Sequence, residues 1–188
     1  MKKLLMPLAV CLFLACSSGD DDKDSVEMAK EENNIKDSSS ANAGEYTEDY
    51  NFAVEAASGS RMEVQLGQYA VQNAGSAAVK QFGQMMVTDH TKADSTLTEI
   101  ARVKGIVIPS APGDDHQKHI DELTKKKGAE FDKAYMDMMV DDHEEDIKKF
   151  EDEVKNGKNE DIKAFANQSL PVLRKHLDAA KKIKDGLK

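Results

Sequence analysis

The chain has 188 residues, of which 32% are charged and only 5% aromatic, and its formal net charge at pH 7 is -9. This length allows one domain of ordinary size and does not require a second. A composition rich in charge and without Trp favours long solvated helices over a β-sandwich or barrel. The acidic balance disfavours contact with a nucleic-acid backbone, so we exclude nucleic acid as a partner.

Residues 1–15 have the pattern of a secretory signal peptide, with two lysines before an apolar run that is too short to span a bilayer. The end of this run resembles the lipobox of bacterial lipoproteins, in which the Cys is lipidated and becomes the N-terminus, although Leu14 stands where a small residue is preferred. The resemblance implies a lipid on Cys16 that attaches the protein to a membrane. The alternative is an ordinary signal peptide. The other cysteine, Cys11, lies inside the signal, so the exported domain has no disulfide.

Residues 16–46 are acidic and rich in Ser and Asn, with few apolar residues. Such a segment buries too little surface to offset its ordering entropy, and we expect a disordered tether. Its run of three Asp at 20–22 is similar to the acidic signal that sends some Gram-negative lipoproteins to the outer face of the outer membrane. We therefore expect anchoring in the outer membrane, with exposure at the cell surface; a solvated linker is the alternative.

Residues 47–188 are predicted to form an all-α domain, a four-helix bundle. Four segments, roughly 49–73, 76–104, 129–156 and 159–187, carry apolar residues at spacings of three and four. Glycines at 75 and 157 mark tight turns within two helical hairpins. The connection between helices 2 and 3 contains two prolines and a short amphipathic helix near 114–127, and is long enough to cross the whole bundle.

A phrase occurs twice in the helices: Met-Met-Val-Thr-Asp-His at 85–90 and Met-Met-Val-Asp-Asp-His at 138–143. His90 and His143 each lie on the apolar stripe of their helix and therefore point toward the core. His176 in helix 4 and Glu63 in helix 1 occupy the same kind of position. All four lie near the middle of their helices, so a bundle would bring them to one level of its core. The Met pairs are typical of gap-filling core residues.

One carboxylate and three imidazoles form a ligand set that suits Zn, Fe, Cu or Ni. We therefore predict a mononuclear site at Glu63, His90, His143 and His176, with acidic neighbours that accept hydrogen bonds from the rings: Asp89, Asp94, Asp142 and Asp146. Metal binding would weaken as the imidazoles become protonated near pH ~6.5. The alternative is a buried polar network without metal that fixes the helix register. His116 and His119 are expected at the surface.

Gly59 and Gly67 lie four residues to either side of Glu63 on the same stripe of helix 1. Glycine within a helix costs about 1 kcal/mol relative to Ala, so a structural reason for both is expected. Either they leave room for a ligand beside Glu63, or they allow two helices to approach closely.

Six segments, with the motifs in order, resemble the bacterial family called domain of unknown function 4142: residues 52–63, 79–82, 86–90, 131–135, 139–143 and 170–177. The resemblance implies a ferritin-like fold in an exported or lipid-anchored protein, and no established activity. Ferritin-like di-iron proteins use Glu-x-x-His on two of their helices. Here Val87, Val140 and Leu173 stand three places before the histidines, so oxidase or iron-storage chemistry does not carry over.

Two classes of function remain: a metal-binding lipoprotein of the cell envelope, or a structural or interaction module that contacts another envelope protein. An enzyme is disfavoured, because the exported domain has no thiol nucleophile and no phosphate-binding glycine loop.

Substitution Cys16→Ala is expected to abolish incorporation of a labelled lipid precursor and to release the protein from membranes, because ~0.8 kcal/mol per buried methylene of the acyl chains would be lost. Metabolic labelling and fractionation of cells test this. Continued labelling and membrane retention of the variant would refute lipidation at Cys16.

Overall fold

A computed structural model describes residues 23–40 and 43–187; the predicted signal peptide and Cys16 lie outside the described residues. Within them the structure is all-helical and contains no strand, as predicted. The helices are α1 (Ser25–Ser38), α2 (Thr47–Asn73), α3 (Ala77–Lys104), α4 (Asp114–Leu123), α5 (Gly128–Asn156) and α6 (Glu160–Gly186). In the part of the chain that the structure describes, no helix is both long and apolar enough to cross a membrane.

The four long helices form a bundle in which α2 packs against α3, α3 against α6, α6 against α5, and α5 against α2. The two hairpins, α2–α3 and α5–α6, are joined by the connection that contains α4. The α2–α3 turn lies beside the start of α5, so α3 ends at the opposite end of the bundle from the start of α5. The connection therefore runs the length of the bundle, as its reach predicts, and α4 packs against α2 and α5.

Two buried carboxylates tie each hairpin to the turn of the other. Asp132 of α5 accepts hydrogen bonds from the backbone N–H groups of Gly75 (2.9 Å) and Ser76 (2.7 Å). Asp49 of α2 accepts from the N–H groups of the α5–α6 turn, including that of Asn159 at 2.6 Å. Both turns present unsatisfied N–H groups next to a helix start, where a carboxylate is favoured. These contacts fix the ends of the hairpins relative to each other.

The prediction of a disordered tether is wrong for residues 25–38, which form α1. Val26 and Ala29 are buried and form a small apolar cluster with Val54 of α2, against which Val107 packs. Asp24 caps the start of the helix by accepting from the N–H of Val26. The sparse apolar residues of this segment therefore lie on one face of a helix, where a few suffice to dock it.

Polar side chains complete the docking of α1. The amide of Asn33 makes two hydrogen bonds with the backbone of Val107, donating to its carbonyl at 2.8 Å and accepting from its N–H at 2.7 Å. Asp37 accepts from the N–H of Tyr46 and the hydroxyl of Thr47, both at 3.0 Å. Since Asn and Asp count as solvated residues in a hydrophobic pattern, this buried stripe could not be recognised from apolar periodicity.

The bundle core consists of two apolar clusters, one toward each end. The first cluster lies toward the end of the bundle that carries the α2–α3 turn, and its large side chains include Met62, Phe82, Tyr135 and Met139. The second lies at the other end and contains Leu97, Phe150, Phe165 and Leu173, among others. The Met phrases thus serve the core, as predicted. In α3, α5 and α6 the predicted ligand residue lies in sequence between the contributions of its helix to the two clusters, and in α2 Glu63 directly follows Met62, the first residue of that helix in the turn-end cluster. A polar layer therefore lies where the two clusters meet.

The reason for a glycine at position 67 is close packing of two helices, not room for a ligand. A Cβ added to Gly67 would lie 2.7 Å from the carbonyl oxygen of Gly83, and one added to Gly83 would lie 2.7 Å from the carbonyl oxygen of Gly67. These two glycines let α2 and α3 touch through their backbones. The close contact sets the spacing of the two helices that carry Glu63 and His90.

Substitution Asp132→Ala is expected to lower the free energy of unfolding by about 3 kcal/mol, because two backbone N–H groups lose a charged acceptor. Urea unfolding followed by circular dichroism measures this, with Asp141→Ala on the exposed face of the same helix as the control. A loss no larger than that of the control would show that the cap does not hold the hairpins together.

Candidate metal centre

The structure brings Glu63, His90, His143 and His176 together in the core, one from each long helix. Their exposed fractions are 1%, 6%, 0% and 0%, in that order. The three imidazoles each offer a nitrogen, and these atoms lie within 4.8 Å of one another. The convergence predicted from the helical stripes is therefore present.

Glu63 bridges two of the rings. Its Oε2 lies 2.7 Å from Nδ1 of His90, and its Oε1 lies 3.5 Å from Nε2 of His143. Nε2 of His143 also lies 3.3 Å from Nδ1 of His176. Three atoms of the cluster, Oε1 of Glu63, Nε2 of His90 and Nδ1 of His143, are buried without a hydrogen-bond partner among the described residues. The cluster thus retains unused bonding capacity.

Asp89 orients the ring of His176, as expected for a neighbour that accepts from an imidazole. Its Oδ2 lies 2.9 Å from Nε2 of His176. Because a carboxylate only accepts, Nε2 carries the hydrogen, and Nδ1 turns its lone pair toward the cluster. A carboxylate behind an imidazole in this way is the usual arrangement around metal-bound histidine. Ser60 further fixes α3 by donating to the carbonyl oxygen of His90 at 3.1 Å.

The other predicted acceptors have different surroundings. Asp94 lies 3.1 Å from the guanidinium of Arg61 and makes no hydrogen bond to a ring among the described residues. Asp142 offers a carboxylate oxygen within 4.8 Å of ligand atoms of Glu63 and His143. Asp146, one turn later on α5, lines the same cleft. No hydrogen bond from Asp142 or Asp146 to a ring is present among the described residues.

Burial sets the protonation of the cluster. It lowers the pKa of His90, His143 and His176 to about 4, because a charged ring would lose its hydration. It raises the pKa of Glu63 to about 7, against the opposing effect of His143. The imidazoles therefore remain neutral well below pH 6.5, and the expected loss of metal affinity at that pH does not follow. Glu63 is the group of this cluster that changes its charge near neutrality.

A cleft of about 370 Å³ leads from the surface to the cluster and is lined by residues of all four long helices and α4. His116 of α4, expected at the surface, is half-buried in its wall, whereas His119 is exposed. The ring of His116 lies over Gly59, 3.7 Å from where a Cβ would be, and its Nδ1 is 2.6 Å from the hydroxyl of Ser58. His116 therefore faces the space beside Gly59. No feature of the sequence had connected this histidine with the site.

A family model described as "Domain of unknown function (DUF4142)" matches residues 35–183. The chain belongs to this family. The match begins inside α1 and reaches the last turns of α6, so the DUF4142 domain includes the whole bundle and every residue of the cluster. The resemblance found in the sequence motifs is confirmed. No curated protein and no solved structure matches the chain.

Substitution Glu63→Gln is expected to stabilise the metal-free protein more at pH 8 than at pH 5. Because the folded-state pKa of Glu63 is raised from 4.5 to about 7, its carboxyl group favours the folded state at low pH, and that contribution is lost as the pH rises through about 7. Glutamine does not titrate, so the variant escapes this loss. Urea unfolding of both proteins at the two pH values measures the difference.

The matched control is Glu122→Gln on the exposed face of α4. If the pH-dependent gain of Glu63→Gln is no larger than that of this control, burial does not hold the Glu63 carboxyl group in its neutral form.

Proposed function

We propose that this DUF4142 domain binds one transition-metal ion in its core through the imidazoles of His90, His143 and His176, with Glu63 as a carboxylate ligand. The observation that carries the proposal is the group of three buried histidines whose ligand nitrogens lie within 4.8 Å of one another. A single inward histidine is common in protein cores. Here three histidines come from three helices, and a buried carboxylate comes from the fourth. Imidazoles and a carboxylate are the ligands that metal centres in helical bundles use.

The distances suit direct ligation. Bonds of about 2.0–2.1 Å to a tetrahedral ion place neighbouring ligand atoms about 3.4 Å apart. His143 and His176 present nitrogens 3.3 Å apart, and Glu63 presents an oxygen 3.5 Å from His143. The ligand nitrogens of the three histidines lie within 4.8 Å of one another, so the side chains would move inward to bind one ion together.

The protonation state also favours binding. Neutral imidazoles need no deprotonation before they donate a lone pair, and burial keeps these rings neutral. Binding then displaces the proton of Glu63, whose pKa is about 7, so affinity rises with pH through neutrality. Imidazole with one carboxylate favours Zn, Fe or Cu over Mg or Ca.

The alternative is a structural or interaction module in which the same residues form a polar network without metal. Glu63 and the three rings already contact one another, and a buried network of this kind fixes helix register. The unpartnered Oε1 of Glu63 and Nε2 of His90 count against it, because a finished network satisfies its buried polar atoms.

The proposal places this domain in the cell envelope, attached to the outer membrane by a lipid on Cys16 and exposed at the cell surface. The lipobox-like end of residues 1–16 and the Asp run at 20–22 support this location. The two antiparallel hairpins and the one long crossover support a ferritin-like bundle. The absence of Glu-x-x-His in its helices supports a mononuclear ion over di-iron chemistry.

Titration of the metal-stripped protein with Zn²⁺, and with Co²⁺ as a coloured probe, tests the proposal. We expect one ion per chain with a Kd below about 1 μM. The double variant His90→Ala/His143→Ala should weaken binding by more than about 100-fold, the upper end of what losing an outer partner costs. His119→Ala, in the exposed part of α4, is the matched control.

Binding weaker than micromolar by the wild type, or equal binding by the double variant and the control, would favour the metal-free network. Circular dichroism of each variant shows whether the fold is retained.

A further inference from the structure

A second group of ligand atoms lies beside the imidazoles and is richer in oxygen. Glu63, Asp142 and His143 each offer one ligand atom, and these atoms lie within 4.8 Å of one another. Asp146 follows Asp142 by one turn of α5, and both line the cleft that leads to the surface. The carboxylates of α2 and α5 therefore meet on the α5 side of the imidazole cluster.

Glu63 is buried, whereas Asp142 and Asp146 are half-buried in the wall of the cleft. Burial and, to a smaller extent, the nearby charge of Glu63 raise the pKa of Asp142 to about 8. Burial is the main cause that raises the pKa of Asp146 well above its ordinary value, and the charges of Asp142 and Glu63 add to it. Lys149 acts in the opposite direction on both aspartates but forms its ion pair with Glu145. Both aspartates therefore keep their protons near neutral pH, and neither has an ion-pair partner among the described residues.

An independent observation points to a ligand at the same place. The hydroxyl of Tyr135 is fully buried and has no hydrogen-bond partner among the described residues. Tyr135 lies on α5 two turns before Asp142, and the charges of Glu63 and Asp142 both act on its phenol. Oε1 of Glu63 is likewise buried and unpartnered. Buried polar atoms are rarely left unsatisfied, so two such atoms at one carboxylate cluster mark a position for a missing group.

We propose that Glu63 and Asp142 form a second cation position, with oxygen ligands, next to the imidazole position and on the side where Asp146 also lines the cleft. Tyr135 would donate a hydrogen bond to one of these carboxylates or to a water on the ion. The position goes beyond the proposed function, because it selects a different class of ion and uses different residues, although the two positions share Glu63.

The ligand chemistry sets the class of ion. Carboxylate, phenol and water oxygens suit hard divalent cations such as Mn²⁺, Mg²⁺ and Ca²⁺, whereas the neighbouring imidazoles suit Zn²⁺ and Cu²⁺. Glu55, Asp115 and Glu145 also line the cleft, so its acidic walls raise the local concentration of any divalent cation. Asp142 and Asp146 line this cleft and are therefore reached from solvent through it.

Mn²⁺ is the probe that distinguishes the two positions, because the electron paramagnetic resonance signal of free Mn²⁺ decreases as the ion binds. The wild-type protein should bind one Mn²⁺ per chain. The isosteric double variant Asp142→Asn/Asp146→Asn should weaken Mn²⁺ binding by about 10-fold or more. Asp141→Asn makes the same type of substitution on the exposed face of α5 and should leave the affinity unchanged.

The variant His90→Ala/His176→Ala keeps the carboxylates and should still bind Mn²⁺ while it loses Co²⁺. Absence of Mn²⁺ binding by the wild type, unchanged binding by the aspartate variant, or loss of binding in the histidine variant would each overturn the proposal. The single variants Asp142→Asn and Asp146→Asn serve if the double variant does not fold, and unchanged affinity in both would overturn it equally. Failure of Co²⁺ to bind the wild type would instead count against the imidazole site alone.

Discussion

The structure depends on a layer of ionisable side chains buried in the middle of an apolar core. Glu63, His90, His143 and His176 lie between two hydrophobic clusters, and each comes from a different helix. Burying such groups costs free energy unless they find partners. Each helix therefore has one register in which its polar residue meets the other three, and a shift by one residue would leave that residue among methyl groups.

Other features of the fold hold that register from outside the layer. The glycine contact between α2 and α3 sets how closely Glu63 approaches His90. The carboxylates of Asp49 and Asp132 tie each hairpin to the turn of the other, which fixes the hairpins along the bundle axis. α1 then holds the connection after α3 through Asn33, and that connection carries His116 to the wall of the cleft. The glycine contact and the two turn contacts therefore hold the polar layer in place, and the layer opens to solvent through the cleft that α4 borders.

Much of this fold could be predicted from hydrophobic periodicity, because the long helices are amphipathic and end at clear turn residues. The repeated Met-Met-Val phrase located His90 and His143, and the stripes of α2 and α6 located the other two residues. Periodicity failed for α1, whose buried stripe includes Asn33 and Asp37. It also could not separate Asp89, which contacts a ring, from Asp94, which pairs with an arginine across the helix contact. Those partners are set by tertiary geometry, not by spacing along one helix.

The same limit explains the protonation of the site. Sequence assigns every histidine its ordinary pKa, whereas burial lowers the pKa of these three to about 4 and raises the pKa of Glu63 to about 7. At pH 7 the rings are therefore neutral, and Glu63 still holds its proton in a large fraction of the molecules. A cluster of neutral bases around a neutral acid is tolerable in an apolar core. It is also ready to exchange one proton for a cation, since the carboxylate formed on binding would be neutralised by the ion. This exchange links the stability of the bundle to its proposed occupancy.

Zinc X-ray absorption on protein loaded with one equivalent of Zn²⁺ tests the central claim most directly, because it reports the ligand atoms themselves. The imidazole site predicts a first shell of about four nitrogen and oxygen atoms near 2.0–2.1 Å, with the outer-shell scattering of several histidine rings. A first shell of oxygen alone, without imidazole scattering, would place the ion outside the layer and contradict the account.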